Sequence, residues 1–171
     1  MKAMKACWVV TAMLAAGLAL PGSATAQFGE GQKTIGFHLG MSGVGSAAAL
    51  GAQGEFAYNK NIGIGAWFDT WSYDYSFGTF NSSVRYIAIA GTGAYHFAIA
   101  SAPKFDPFLG VAIGYYIVNY SDDFGTFDVA SNRLFVGGFG GARYAFTPRV
   151  SGVATLGVGA AYLTVGLDFK L

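Results

Sequence analysis

Along most of this chain apolar residues fall at every second position. In the final stretch Ala161, Leu163, Val165, Leu167, Phe169 and Leu171 hold the odd places, and from position 164 on Thr164, Gly166, Asp168 and Lys170 hold the even ones. A side-chain period of two belongs to a β-strand with one apolar and one polar face, whereas a helix would scatter the same residues around its axis. So regular a strand at the end of the chain predicts a pairing with the first strand that closes a barrel.

The same pattern predicts seven strands before it. The first covers about Lys33–Ser42, with Ile35, Phe37, Leu39 and Met41 on one face and Thr34, Gly36, His38 and Gly40 on the other. The second covers Ala48–Tyr58, with Leu50, Ala52, Phe56 and Tyr58 opposite Gln53 and Glu55, and Asn59-Lys60-Asn61 has the chemistry of a tight turn. The third, Ile62–Trp71, sets Ile62, Ile64, Ala66 and Phe68 against Trp67, Asp69 and Trp71. A polar-aromatic loop is expected over Ser72–Ser82. The fourth strand, Ser83–Phe97, carries Ile87, Ile89, Tyr95 and Phe97 on one face and Tyr86, Ala88, Ala90, Thr92 and His96 on the other. The fifth, Phe105–Tyr120, alternates Leu109, Val111, Ile113, Tyr115 and Ile117 with Gly110, Ala112, Gly114 and Tyr116. A second large loop is expected over Ser121–Ser131. Asn132–Phe146 forms the sixth, with Leu134, Val136, Tyr144 and Phe146 opposite Arg133, Phe135 and Arg143, and a Thr147-Pro148-Arg149 turn leads to the seventh, Val150–Val158.

The start of the chain reads differently. Lys2 and Lys5 precede an apolar run from Trp8 to Leu20, which Pro21 and Gly22 break before the small residues Ala24-Thr25-Ala26. This is the pattern of a secretory signal peptide cleaved after Ala26, leaving a mature domain over residues 27–171. The run is shorter than the roughly 20 residues a membrane anchor needs. Cys7 leaves with the leader, so no disulfide, thiolate nucleophile or cysteine metal site is expected. Eight basic residues then face nine acidic ones, which excludes a basic nucleic-acid binder.

Composition narrows the class further. The chain is 53% hydrophobic and 11% charged, with 26 Gly, 15 Phe and 10 Tyr, yet after the leader no apolar run is long enough for a membrane helix. Alternating lipid-facing and lumen-facing residues in a transmembrane β-barrel produce this combination. Charge parity agrees, because Arg or Lys on the lipid face costs roughly 2–4 kcal/mol near the bilayer middle. Glu55, Asp69, Asp106, Arg133, Arg143, Asp168 and Lys170 all fall on the face opposite the aliphatic residues. Arg85 is the exception, placed beside a long loop from which it can reach headgroups. A soluble lipocalin-like barrel would bury its aliphatic positions and expose the charges.

Phe77-Gly78-Thr79-Phe80 recurs as Phe124-Gly125-Thr126-Phe127. Downstream, Arg85 and Gly93-Ala94-Tyr95-His96-Phe97 are echoed by Arg133 and the slightly longer Gly141-Ala142-Arg143-Tyr144-Ala145-Phe146. Two hairpins built alike would carry their long loops on one side; chance recurrence in a biased composition is the alternative.

The segment Pro107-Phe108-Leu109-Gly110-Val111-Ala112-Ile113-Gly114-Tyr115, the run Gly137 to Phe146 with its Thr147-Pro148 turn, and the alternating last strand resemble the small eight-stranded outer-membrane barrels of the OmpA, OmpX and opacity-protein type. The resemblance implies an all-β, eight-stranded antiparallel up-and-down barrel in the outer membrane of a Gram-negative-type bacterium, with both termini periplasmic. It also implies recognition of the last strand by the outer-membrane assembly machinery. In that family this strand usually ends on Phe or Trp; here it ends on Leu171, with Phe169 two before it.

Candidate chemistry is sparse. Glu55, Asp69, Arg143, Asp168 and Lys170 are expected to form a polar network inside the barrel, either a self-neutralising plug or an ion path; eight strands leave an interior that side chains can fill. His38 and Ser42 share a strand face but stand about 13 Å apart, too far for a nucleophile–base pair, and the local His-Ser motif of lipid A deacylases is missing. Asp122, Asp123 and Asp128 could hold calcium but fit a solvated acidic loop better. No enzyme activity, cofactor or metal is expected. Tyr73, Tyr75, Phe77 and Phe80 on one loop, and Phe124 and Phe127 on the other, are candidates for an interaction surface or for the aromatic girdle at the membrane interface. The expected role is envelope-structural or adhesion-like, with lipid, lipopolysaccharide and an external protein or surface ligand as partners. A narrow channel and a lipid-modifying enzyme are the alternatives.

Overall fold

The computed structural model describes residues 28–42, 47–77, 80–122, 131–157 and 161–171, apart from the side chains of 75–77, 80–82, 120–122, 131 and 132. The leader, the Gly/Ser loop after β1, and the second large loop with Asp123, Phe124, Phe127 and Asp128 lie outside these residues.

Eight antiparallel strands follow one another around a closed barrel: β1 (Lys33–Ser42), β2 (Ala48–Ala57), β3 (Ile62–Phe77), β4 (Phe80–His96), β5 (Phe105–Asp122), β6 (Ser131–Ala145), β7 (Val150–Gly157) and β8 (Ala161–Lys170). β8 closes the wall against β1, from Thr34↔Lys170 to Met41↔Leu163, with a register shift at Ser42. The turns at one end follow from local chemistry. Asn59 Oδ1 accepts bonds from the backbone N–H groups of Asn61 and Ile62, both at 2.8 Å, and Thr147 Oγ1 accepts one from Val150 N at 2.9 Å. This end, which also receives the start of β1 and the finish of β8, is the terminal end.

The large exposed aliphatic residues all lie on the outer face of the strands, while Val84, Val118 and Val153 are aliphatic residues that face inward. Val111 is 64% exposed, Leu156 65% and Val136 71%, whereas inward Ala88, Ala112 and Asp168 are each 2% exposed. The alternation is thus inverted relative to a soluble barrel, with apolar side chains outside and a mixed interior.

The wall is uneven. β1, β2, β7 and β8 have 8–10 residues, while β3 to β6 have 15–18, so half the barrel stands taller at the end away from the termini. This corrects the expected Ser72–Ser82 loop. β3 continues to Phe77 and β4 begins at Phe80, with Phe77↔Phe80, Tyr75↔Ser82 and Tyr73↔Val84 in register. The physical reason is that period two does not stop at Trp71. It changes faces: the outward positions become Thr70, Ser72 and Asp74, and the inward ones become aromatic. Tyr75, Phe77 and Phe80 therefore lie on strands and not in a loop. Arg85 is exposed on the same polar outer stretch, opposite Ser72 and Asn119.

Candidate functional site: the filled lumen

The inward side chains form three layers. At the terminal end Arg143 gathers the carboxylates. Its Nε donates to Asp168 Oδ2 at 2.5 Å, its second guanidinium nitrogen lies 2.6 Å from Glu55 Oε2, and the third lies 3.7 Å from Asp106 Oδ2. β6 supplies the arginine and β2, β5 and β8 the acids, so one side chain ties four strands across the lumen. The guanidinium also sits over the Phe108 ring, 5.2 Å from its centroid. His96, from the end of β4, joins the same cluster: Nδ1 is 2.9 Å from Asp106 Oδ1 and Nε2 is 3.2 Å from Glu55 Oε1. Lys170 is half-buried on the inward face, near enough to Asp106 and Arg143 to interact electrostatically with both.

Of the residues expected in an interior network, Glu55, Arg143 and Asp168 touch and Lys170 lies beside them. Asp69 stands apart, paired with buried His38 at 2.7 Å. His38, His96, Asp106 and Gln53 were not expected there. Their inward parity was readable, but the register that brings them together was not.

Glycines make these meetings possible. His38 on β1 is level with Gly51 on β2, and Gly51 with Asp69 on β3. A Cβ on Gly51 would overlap both His38 and Asp69, so the bond between them runs over a strand that carries no side chain there. The same arrangement recurs where Asp168 on β8, Gly36 on β1 and Gln53 on β2 are level, and Gln53 Nε2 donates to Asp168 Oδ1 at 2.7 Å across Gly36.

A second layer is apolar. Ala90, Ala94, Phe108, Ala112, Phe139 and Val153 pack together with Trp67 and Phe135 against them, and Trp67 and Phe139 meet with ring centroids 4.5 Å apart. A third layer, toward the tall end, is aromatic: Trp71 stacks on Tyr86 at 5.1 Å and meets Tyr116 edge-on, while Tyr116 packs on Phe135 at 4.5 Å. Tyr73, expected on a surface loop, instead faces the lumen. It stacks on Tyr86 at 5.7 Å, with the two hydroxyls 3.2 Å apart. Of the other candidate interaction residues, the side chains of Tyr75, Phe77 and Phe80 and all of Phe124 and Phe127 fall outside the described residues.

Ser42 Oγ accepts a bond from Ala47 N, and the His38 imidazole is engaged with Asp69, so the two side chains of β1 are not joined as nucleophile and base. Among the described residues no group of three or more His, Cys, Asp or Glu could hold a metal ion.

A closed, up-and-down eight-stranded barrel with an aliphatic exterior and a filled interior is the architecture of the small outer-membrane barrels. Solved structures with this fold include the N-terminal barrel domain of Pseudomonas aeruginosa OprF (12% identity, TM-score 0.57, covering 84% of this chain and 99% of that one). Neisserial surface protein A, NspA, superposes with a TM-score of 0.54 at 19% identity, over 82% of this chain and 95% of that one. Ail, the attachment invasion locus protein of Yersinia pestis, solved with the heparin analogue sucrose octasulfate, gives 0.52 at 12% identity over 84% and 96%. At these identities the likeness is one of fold. No protein-family profile matches the chain, and no curated protein matches it.

Proposed function

We propose that this is an exported outer-membrane protein, with a leader over residues 1–26 and a barrel over 27–171, acting without catalysis as a surface-interaction or envelope-structural element. The observation that carries this reading is the uneven wall. An exposed aliphatic exterior suits lipid, and β3 to β6 rise past it into outward Thr70, Ser72, Asp74, Arg85 and Asn119, polar positions suited to water or headgroups. A barrel that served only to span lipid would have no need of strands that long. With the termini at the low end, an even strand number puts them in the periplasm and the tall half outside. The aromatic hairpin tip at Phe77 and Phe80, and the segment 123–130 with Phe124 and Phe127, would then meet lipopolysaccharide or an external partner. The last strand would be the part presented to the assembly machinery. Ail, a neighbour in fold solved with a heparin analogue, supplies a first ligand class to try.

The narrow-channel alternative would need water to pass the apolar and aromatic layers, and the interior polar network is read here as a neutralising plug. The test is binding to immobilised heparin by whole cells that display the protein. Replacing residues 123–130 by a short Gly/Ser turn should abolish binding while the unboiled protein keeps its shifted gel mobility. Retained binding, or protein found only in the soluble periplasmic fraction, would reject the proposal.

A further inference from the structure

We infer that the segment Phe28–Gln32 is a stopper for the terminal end of the lumen, with the Phe28 ring as its plug. Phe28 precedes the first strand and belongs to no ladder, yet it is 9% exposed. Its ring lies flat on His96, centroids 3.7 Å apart and planes 1° from parallel. His96 is an apt floor for a plug. Its two nitrogens are engaged by Asp106 and Glu55, so the ring cannot swing, and the rest of its contact surface is its flat faces. The flat face so presented is one on which an aromatic ring can stack at full contact.

The rest of the segment is fastened to the barrel. Gly31 N donates to Ala57 O at 3.0 Å, Ala57 N to Gln32 O at 2.8 Å, and Gln32 N to Gly29 O at 3.0 Å. Gly31 has φ of 77°, a left-handed turn that glycine adopts freely, and this turn points the chain back over the mouth. A socket is present on β3: a Cβ on Gly63 would overlap the Glu55 carboxyl and come within 3.0 Å of the Phe28 ring. The space left beside Phe28, lined among others by Lys60, His96, Phe105 and Asp106, is about 10 Å³, room for no more than one water.

Phe28 therefore keeps bulk water off the ion cluster of Glu55, His96, Asp106 and Arg143. The apolar layer beyond limits the consequence of removing it: the mouth opens, the barrel does not become a pore.

The test is thiol accessibility of the full chain folded in detergent, in a Cys7→Ser background, using a charged methanethiosulfonate. Ala94→Cys reports the edge of the apolar layer nearest the mouth, since Ala94 is level with Gly63 beside the Phe28 ring, and Ala88→Cys reports the aromatic layer. Adding Phe28→Ala should speed labelling at position 94 at least tenfold and leave position 88 unchanged. Phe28→Leu, which keeps apolar bulk but loses the flat stack, should give a smaller rise at 94 alone and serves if the alanine variant does not fold. No change at 94 in a folded variant would overturn the stopper. Equal acceleration at both positions would also overturn it, because Phe28 would then be holding the whole barrel and not its mouth.

Discussion

The two ends of the lumen are filled by opposite means. At the terminal end the strands are tied by charge: Arg143 serves Asp168, Glu55 and Asp106, and His96 serves two of the same acids. Toward the tall end they are tied by area: Trp71, Tyr73, Tyr86, Tyr116 and Phe135 stack, with one hydroxyl contact among them. The difference is one of tolerance. A buried ion cluster fails when one partner goes, because the remaining charges stay buried without compensation, whereas an aromatic stack loses stability in proportion to the surface removed. A charged base thus carries a taller half whose aromatic filling can change by small steps.

The largest expected effect lies at the base. Arg143→Leu leaves Glu55, Asp106 and Asp168 gathered without their guanidinium, at a cost of about 3–5 kcal/mol. Urea titration in lipid vesicles, followed by tryptophan fluorescence, should show the midpoint collapse or the unboiled gel band vanish. Arg143→Lys should recover little, since a point charge cannot reach three acids on three strands as a planar fork does. A near-wild-type midpoint for either variant would mean that the two ends of the lumen do not differ in tolerance.

Next comes the aromatic end. Trp71→Ala should cost about 3–5 kcal/mol by loss of a buried ring, but Trp71→Phe should cost far less. Trp71 Nε1 has no hydrogen-bond partner among the described residues, so phenylalanine forfeits area and no bond. The same titration decides it: a conservative change should be nearly as damaging as a drastic one at Arg143 and much milder at Trp71.

A third comparison uses two glycines of opposite orientation. Gly51→Ala should destabilise by about 1–3 kcal/mol, as overpacking does, because the new methyl enters the His38–Asp69 bond. Gly91→Ala, outward on β4 with nothing within 4 Å of its Cβ position, should fall within about 0.5 kcal/mol of the parent. Equal effects would mean that the space over Gly51 is not needed and that the His38–Asp69 bond contributes little.

These cases also mark how far the sequence could be read. Period two and charge parity are local, so eight strands, their faces and the inward placement of Glu55, Arg143 and Asp168 followed from alternation alone. Register is not local. His38 and His96 were legible as inward residues, yet nothing in the pattern says that His38 reaches over Gly51 to Asp69, or that His96 falls between Asp106 and Glu55. The Ser72–Ser82 stretch differs from its expected loop for another reason. Its alternation continues, but the apolar face switches from lipid to lumen past Phe68, and a reading that follows the outward aliphatics sees the strand end there. Tyr73 shows the consequence most directly, as an aromatic residue that would suit a surface loop and packs in the interior.

Tyr73→Phe gives the smallest and most discriminating effect. The change keeps the ring on Tyr86 and deletes one partner of the 3.2 Å hydroxyl contact, which should cost about 0.5–1.5 kcal/mol if that contact is a hydrogen bond in a dry interior. Tyr86→Phe should cost a similar amount, and the double variant no more than the larger single one, since both remove the same bond. Additive losses would mean that the two hydroxyls are held by separate partners and that the 3.2 Å contact between them contributes little.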